Sequence, residues 1–305
     1  MGEERSQTIE MASLEDQASG GVDRGAAGAL RDVLTRPKYE LVPITTVDRA
    51  IEELPPQAVV TITASPNRTI DDTVDLAIRV RRLGFAAVPH LAARMIRDRD
   101  HLRSLLDRIG EAGVSGAFVI GGDAQQQGAY PDALALLRDM NELGHPFTAI
   151  GIAGYPEGHP FITDDLLDVA LREKSAYASY VTTQMCFDPN AITAWIEARR
   201  DNGIGLPVHL GIPGVAEIGK LIRLGTRIGI GGSLRYLSRH TGLVGRLVRP
   251  GGYAPDALLE GLGAAFADRR LGIEAVHVFT FNEVATTEAW RRRYLDVLAV
   301  TAGGR

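Results

Sequence analysis

Eight short runs of apolar and β-branched residues recur between Lys38 and Phe281, and a longer amphipathic or loop-rich stretch follows each. Parallel strands cannot be joined by tight turns, so each needs a crossover, and helices end up covering the sheet. Strands are predicted at Tyr39 to Pro43, Ala58 to Ala64, Ala86 to Leu91, Gly116 to Ile120, Thr148 to Ala153, Val181 to Phe187, Pro207 to Ile212 and Val276 to Phe281. Helices are predicted at Thr69 to Leu83, Asp98 to Glu111, Pro131 to Leu143, Thr163 to Glu173, Pro189 to Asp201, Gly214 to Leu224 and Asn282 to Leu298. Asp71 and Asp72 near one start, Pro131 in another first turn, and Gly84, Gly113 and Gly144 just past helix ends supply the expected punctuation. The repeat predicts an α/β fold, a (β/α)8 TIM barrel.

A barrel of this kind accommodates 305 residues as one domain. Residues 1–24, rich in Glu, Gln, Ser and Gly, cannot bury enough apolar surface to offset ordering and are expected to be a disordered tail. Residues 25–305 then form the barrel, with a short helix around Ala26 to Thr35 placed to plug its bottom. Between the seventh and eighth strands, Thr226 to Ile273 adds two helical segments, about Ser233 to Val248 and Pro255 to Arg270. The Gly229-Ile230-Gly231-Gly232 run lacks the glycine spacing of a dinucleotide loop and reads as a turn.

The net charge of −5 offers no electrostatic footprint for nucleic acid or an anionic membrane. Cys186, the only cysteine, reads as a buried thiol in a strand, which leaves no disulfide framework and no thiolate metal site. No His-x-x-x-His or carboxylate cluster has metal-ligand spacing, and no Gly-x-Ser-x-Gly is present, so metal chemistry and acyl transfer are not expected. No apolar run is long enough to span a bilayer, and the polar, acidic N-terminus is not signal-like. A cytoplasmic protein is expected, with homo-oligomerisation left open.

Active sites of such barrels lie at the C-terminal ends of the strands. The polar residues there are Glu40, Thr61, Thr63, His90, Asp123, Tyr155 to His159, Gln184, His209, Thr280 and Asn282. In Tyr155-Pro156-Glu157-Gly158-His159-Pro160, two prolines fix the backbone that carries a phenol, a carboxylate and an imidazole. A merely solvated loop is the alternative. Glu40 sits inside a strand, where a carboxylate is costly unless neutral or paired; a desolvated acid is a route to proton donation near neutral pH, and a buried salt bridge is the competing reading. Asp123 follows bare Gly121-Gly122 backbone, which a flat ligand can approach, or it caps a helix. The Gln184 amide can pair with a heterocycle edge or be satisfied within the barrel. His90 and His209 read as structural hydrogen-bonders.

These strand ends, in this order, resemble the methylenetetrahydrofolate reductase family across about residues 38 to 300. Tyr39-Glu40-Leu41-Val42-Pro43 is similar to the family's Phe-Glu-Phe-Phe-Pro, Pro89-His90-Leu91 to its Pro-His-Leu, and Gly122-Asp123 to the end of its Arg-Gly-Asp. The Tyr155 to Pro160 turn resembles Tyr-Pro-Glu-x-His-Pro, Thr183-Gln184 through Phe187-Asp188 resembles Thr-Gln-x-x-Phe-Asp, and Thr280-Phe281-Asn282 is similar to Thr-Leu-Asn. The turn and the Thr-Gln island are the specific ones.

The resemblance implies reduction of 5,10-methylenetetrahydrofolate to 5-methyltetrahydrofolate, the one-carbon supply for methionine synthesis. It places Glu40 as the general acid on the folate nitrogen. Asp123 stabilises the iminium carbon and anchors the pterin, with Gln184, Phe279 and Phe281 also on the substrate. Family members hold a flavin through an arginine before Gly-Asp, a tyrosine after the second strand's threonine, and an Asp-x-x-Asn-x-x-Arg-Lys helix. Here the first two positions are Gly121 and Ala64, and the helix, Asp164 to Lys174, lacks the asparagine and gains Glu173. In this respect the chain resembles a short divergent branch of the family that passes hydride directly from NADH to folate without FAD or FMN. NADH is then expected against Thr63, His90, Tyr130, Tyr155 and His159. Two alternatives stand beside this: an orthodox flavoprotein with phosphate contacts moved to Arg172, Lys174 or Arg94, and a folate-binding barrel without turnover. Arg235 and Arg239 are candidates for an anionic polyglutamate tail.

Overall fold

The computed structural model describes residues 22–65, 67–123, 128–228 and 252–303, the side chains of 224–228 excepted. Eight parallel strands close into one barrel in sequential order. They are β1 (Lys38–Leu41), β2 (Val59–Ile62), β3 (Ala86–Ala92), β4 (Gly116–Ile120), β5 (Ala149–Gly154), β6 (Tyr180–Thr183), β7 (Val208–Pro213) and β8 (Ile273–Phe279). The helical layer comprises α1 (Arg24–Thr35), α2 (Val47–Glu52), α3 (Ile70–Arg82), α4 (Arg99–Glu111), α5 (Ala133–Leu143), α6 (Asp164–Ser175), α7 (Pro189–Asp201), α8 (Ile218–Ile228), α9 (Asp256–Gly261), α10 (Gly263–Ala267) and α11 (Val284–Gly303). No helix among the described residues is long and apolar enough to cross a membrane.

The sequence explains most of these boundaries locally. Thr69 and Asp72 form a reciprocal capping box on α3, while Asp98 and Asp132 cap α4 and α5 through their carboxylates. Asp132, not Pro131, is the cap of α5, so the proline lies just outside the helix. Asp23 caps α1 by accepting the N–H of Ala26, so Asp23 and Arg24, expected within the tail, belong to the start of this helix. Residues 1–21, the segment Ser233 to Val248, Gly229 to Gly232, Arg235 and Arg239 lie outside the described residues. The predicted helix Pro255 to Arg270 is two short helices, separated at Leu262. β6 stops at Thr183, so buried Cys186 lies in the following loop and not in a strand.

Alternation along the strands sorts side chains between the helical layer and the lumen. Outward Tyr39, Val60, Leu91, Val119, Ile152, Leu210 and Val276 join the main apolar core under the helices. Inward Val88, Phe118 and Tyr180 form a separate cluster within the barrel. Gly151 makes the room for one of them, since a Cβ there would lie 2.3 Å from the Tyr180 ring. The seam between β8 and β1 is held through α1 and α11. Glu288 accepts from Tyr39, Arg291 and Arg292, and Arg291 also donates to the carbonyl of Leu34. Helix α1 thus packs against α11, α10 and β8 rather than serving simply as a bottom plug.

Candidate active site

Glu40 is the third residue of β1, on the same face as Lys38, and strand register aligns it with Thr61 on one side and Phe279 on the other. Its side chain is 14% exposed and bonds His277 of β8, with Nε2 2.9 Å from Oε2. His90 of β3 stands 3.7 Å from the same oxygen, too far for a hydrogen bond. Phe118 packs on His90 at 4.8 Å between ring centroids, and Phe279 lies 5.0 Å from His277.

Burial alone would push the Glu40 carboxyl up. The His277 hydrogen bond and the nearby imidazole charges outweigh it and hold the group below its ordinary value. Of the two conditions under which a strand carboxylate is tolerated, neutral or paired, the structure shows the paired one, with His277 as the partner. Burial drives His90 down to about 4, only partly opposed by Glu40, so that ring is neutral near pH 7. Three inward-facing atoms, Thr61 Oγ1 and His90 Nε2 near the pair and Thr182 Oγ1 on β6, are buried without a hydrogen-bond partner. Such atoms mark a place where a polar ligand gains what the protein does not supply.

The backbone around Glu40 is fixed from the β8 side. Thr280 donates its hydroxyl to the Glu40 carbonyl at 2.5 Å, and Asn282 both accepts from the Val42 N–H and donates to the Val42 carbonyl. The turn that permits this is strained, with φ of 53° at Phe281 and 63° at Asn282. Phe279 and Phe281 pack with Met185, Phe187, Ile218 and Tyr253, giving an apolar wall on the β6 to β8 side of the mouth.

The opposite wall carries Asp123, Tyr155 and His159. Asp123 is exposed, and its charge reaches both other groups. Burial, with Asp123 adding to it, raises the Tyr155 phenol, and burial lowers His159 despite Asp123. The two rings meet edge to face at 5.2 Å, and Gly158, at φ 75°, turns the chain back so that its N–H reaches the Tyr155 carbonyl. Gln184, just past β6, folds its side-chain oxygen onto the N–H of Met185. Thr63, after β2, is partly buried and donates to the carbonyl of Ala64.

The structure therefore brings Glu40, His90, Phe279 and Phe281 to one lumen and mouth, with Asp123, Tyr155 and His159 grouped across it. Tyr130 departs from its expected place. It is buried in the outer core and donates to Asp139 of α5 at 2.6 Å, a pairing within the helical layer rather than a cavity wall. His209 stacks on Tyr180 at 3.9 Å, low in the barrel. His277 was not anticipated at all. Its signal was available, since it lies two residues before Phe279 in a strand and so shares the inward face. Among the described residues no group of three or more His, Cys, Asp or Glu is arranged to hold a metal ion.

Comparison with known proteins places this geometry in a family. Over 149 residues the chain is 30% identical to 5,10-methylenetetrahydrofolate reductase of Pectobacterium carotovorum subsp. carotovorum, a match covering 48% of this chain and 49% of that protein. Over 78 residues it is 33% identical to methylenetetrahydrofolate reductase 1 of Schizosaccharomyces pombe, covering 24% of this chain and 13% of that protein. The matches thus span about half or less of the relatives' lengths. A GH18 chitinase from Cycas revoluta, solved with (GlcNAc)3, superposes with a TM-score of 0.50 at 11% identity, covering 85% of this chain and 99% of that one. That likeness is one of fold alone. The sequence model of methylenetetrahydrofolate reductase matches residues 39–230, from Glu40's strand through the Thr-Gln island and beyond, and the chain belongs to that family.

Proposed function

We propose that this protein reduces 5,10-methylenetetrahydrofolate to 5-methyltetrahydrofolate, taking hydride directly from NADH without a flavin. The observation that carries the reading is the Glu40–His277 pair, a carboxylate and an imidazole sharing a hydrogen bond inside the lumen beneath the mouth.

Net reduction consumes one hydride and one proton. The proton passes from the Glu40–His277 pair to the folate nitrogen whose bond to the methylene carbon breaks. The lone pair on the other nitrogen then forms an iminium, and hydride from the nicotinamide ring adds to its carbon. Exposed Asp123, across the cavity, opposes the positive charge while it lasts. The Phe279 and Phe281 wall suits the flat pterin, and Gln184 its amide edge. Thr63, His90, Tyr155 and His159 remain the proposed surroundings of the nicotinamide, with Tyr130 dropped from that set.

The flavin-free reading is supported by the residues where a flavin diphosphate would be held. Helix α6 lacks the asparagine of the family's phosphate-holding pattern, and Glu173, between Arg172 and Lys174, adds a charge that repels phosphate. Asp168 is engaged by Arg199, and burial lowers the Lys174 ammonium despite Asp132. These residues do not fit a diphosphate, and no step is assigned to one.

The test is the visible spectrum of the purified protein, followed in the same cuvette by NADH oxidation with methylenetetrahydrofolate and no added flavin. Colourless protein that turns over is the expected result. A stoichiometric flavin spectrum, or turnover only after flavin is added, would replace the reading with the orthodox flavoprotein. Folate binding without NADH oxidation under either condition would replace it with a non-catalytic barrel.

A further inference from the structure

Below the Glu40 pair lies a second set of ionisable groups that the proposed chemistry has not used. Lys38, two residues before Glu40, faces the lumen at the N-terminal end of β1 and holds its Nζ 3.7 Å from the centre of the Tyr180 ring. His209 stacks on Tyr180 at 3.9 Å, and the two cannot share a face at those distances, so the ring is sandwiched between amine and imidazole. No carboxylate is paired with Lys38 in the described structure. Strand register makes Lys38 the direct neighbour of His277, which puts their backbones about 4.8 Å apart with both side chains inward.

This lower end is open. The first residues of β1 to β5, namely Lys38, Val59, Ala86, Gly116 and Ala149, are all partly or fully exposed, whereas His277 is 2% exposed. Lys38 therefore touches both solvent and the sealed interior. Burial lowers its ammonium to about 7, a value at which the amine both takes and releases protons near neutral pH. The other groups at this level are poor carriers. Burial, then the charges of Lys38 and His277, takes His209 down to about 2, and burial raises the Tyr180 phenol. On β2 to β5 the residues at this level, Val59, Val88, Gly116 and Ala149, do not ionise.

The need for such a group follows from Glu40 itself. Because His277 holds the carboxyl below its ordinary value, the proton it must give is not stored on it at neutral pH. A folate and a nicotinamide filling the mouth would cover the pair from above. We propose that Lys38 is a proton-entry residue, taking protons from solvent at the lower end of the barrel and passing them through His277 to Glu40. In that transfer the Lys38 side chain swings from the Tyr180 face onto its strand neighbour His277, and its ammonium loses one N–H proton to Nδ1 of the imidazole. The imidazole releases the proton of Nε2 to the Glu40 carboxylate, and water returns a proton to the amine. The inference rests on the reading of Glu40 as the proton donor.

The experiment is steady-state kinetics of the full chain from pH 5.5 to 9 for the parent, Lys38→Met, Lys38→Ala and Glu40→Gln, with folding checked by thermal melts. Lys38→Met is expected to lower kcat at pH 7.5 about tenfold or more, within the range of positioned acid-base groups, while KM for NADH and for methylenetetrahydrofolate stays within about twofold. The kcat inflection near pH 7 should vanish. In Lys38→Ala, methylamine should restore kcat, whereas tetramethylammonium, a cation without a transferable proton, should not. Parent-like kcat and pH profile in both Lys38 variants, or equal rescue by the two cations, would overturn the proposal while loss of turnover in Glu40→Gln kept the acid reading intact. Parent-like turnover in Glu40→Gln would overturn the acid reading, and the proton entry with it.

Discussion

Tyr39 and Glu40 are neighbours on one strand, yet each belongs to a different buried carboxylate. Tyr39 points outward and donates to Glu288 at 2.6 Å, and two arginines complete that carboxylate's partners at 2.7 to 2.8 Å. Glu40 points inward to a single imidazole at 2.9 Å, beside lumen atoms that have no partner. Both acids lie below their ordinary values against the pull of burial. Glu288 reaches about 2 because guanidinium and phenol hydrogen bonds together outweigh desolvation. The difference is in what can move. A carboxylate saturated by permanent cations is fixed as an anion and holds helix to strand. A carboxylate held by one imidazole can exchange a proton along that hydrogen bond.

The largest effect expected from breaking this contrast is on Glu40. Glu40→Gln should cut kcat about a thousandfold, since an amide has no proton to deliver, while the melting temperature stays close to that of the parent. Stopped-flow NADH oxidation and a thermal melt on the same sample check both halves.

Glu288→Gln should do the reverse, costing about 3 kcal/mol of stability while turnover per folded molecule is preserved. The sign with pH follows from the depressed value. The folded carboxyl lies at about 2 and the unfolded one near 4.5, so the stabilisation is full above 4.5 and is lost as pH falls towards 2. Urea titrations between pH 3 and 7 should show this acid loss in the parent and a flatter dependence in the variant.

His277→Asn sharpens the comparison with a smaller change. Removing the ring removes the largest of the interactions that lower Glu40 and leaves only the charge of His90 against the burial that raises it, so the Glu40 carboxyl should rise. The high-pH limb of the kcat profile should shift upward, with maximal kcat reduced about tenfold. An unshifted limb would separate His277 from the titration of Glu40.

The sequence made the barrel legible because eight strand segments carried apolar runs whose helices were closed by ordinary caps and glycines. It also pointed to Glu40, since a carboxylate inside a strand breaks local preference. Its electrostatic state was not legible, because His277 lies 237 residues away and reaches it only across the β8 to β1 seam. Lys38 was hidden for another reason: a lysine at a strand start reads as solvated, and only its position over Tyr180 makes it unusual. Tyr130 was expected in the wall of the nicotinamide cavity because the fourth strand's end leads towards it. Its partner Asp139 is nearly two helix turns into α5, and only packing decides which way the phenol turns.

The long interval between Glu40 and His277 also bears on how the molecule matures. Their strands are the first and last of the barrel, so the pair cannot assemble from any contiguous early fragment of the chain. Contacts of this separation carry a large loop-closure cost and form late. Thr280 and Asn282 fasten the same seam, so the hydrogen bonds that secure the last strand are also those that position Glu40. A nascent or partly unfolded barrel would then be silent towards its substrates rather than half active, with catalytic competence switched on by the final docking event.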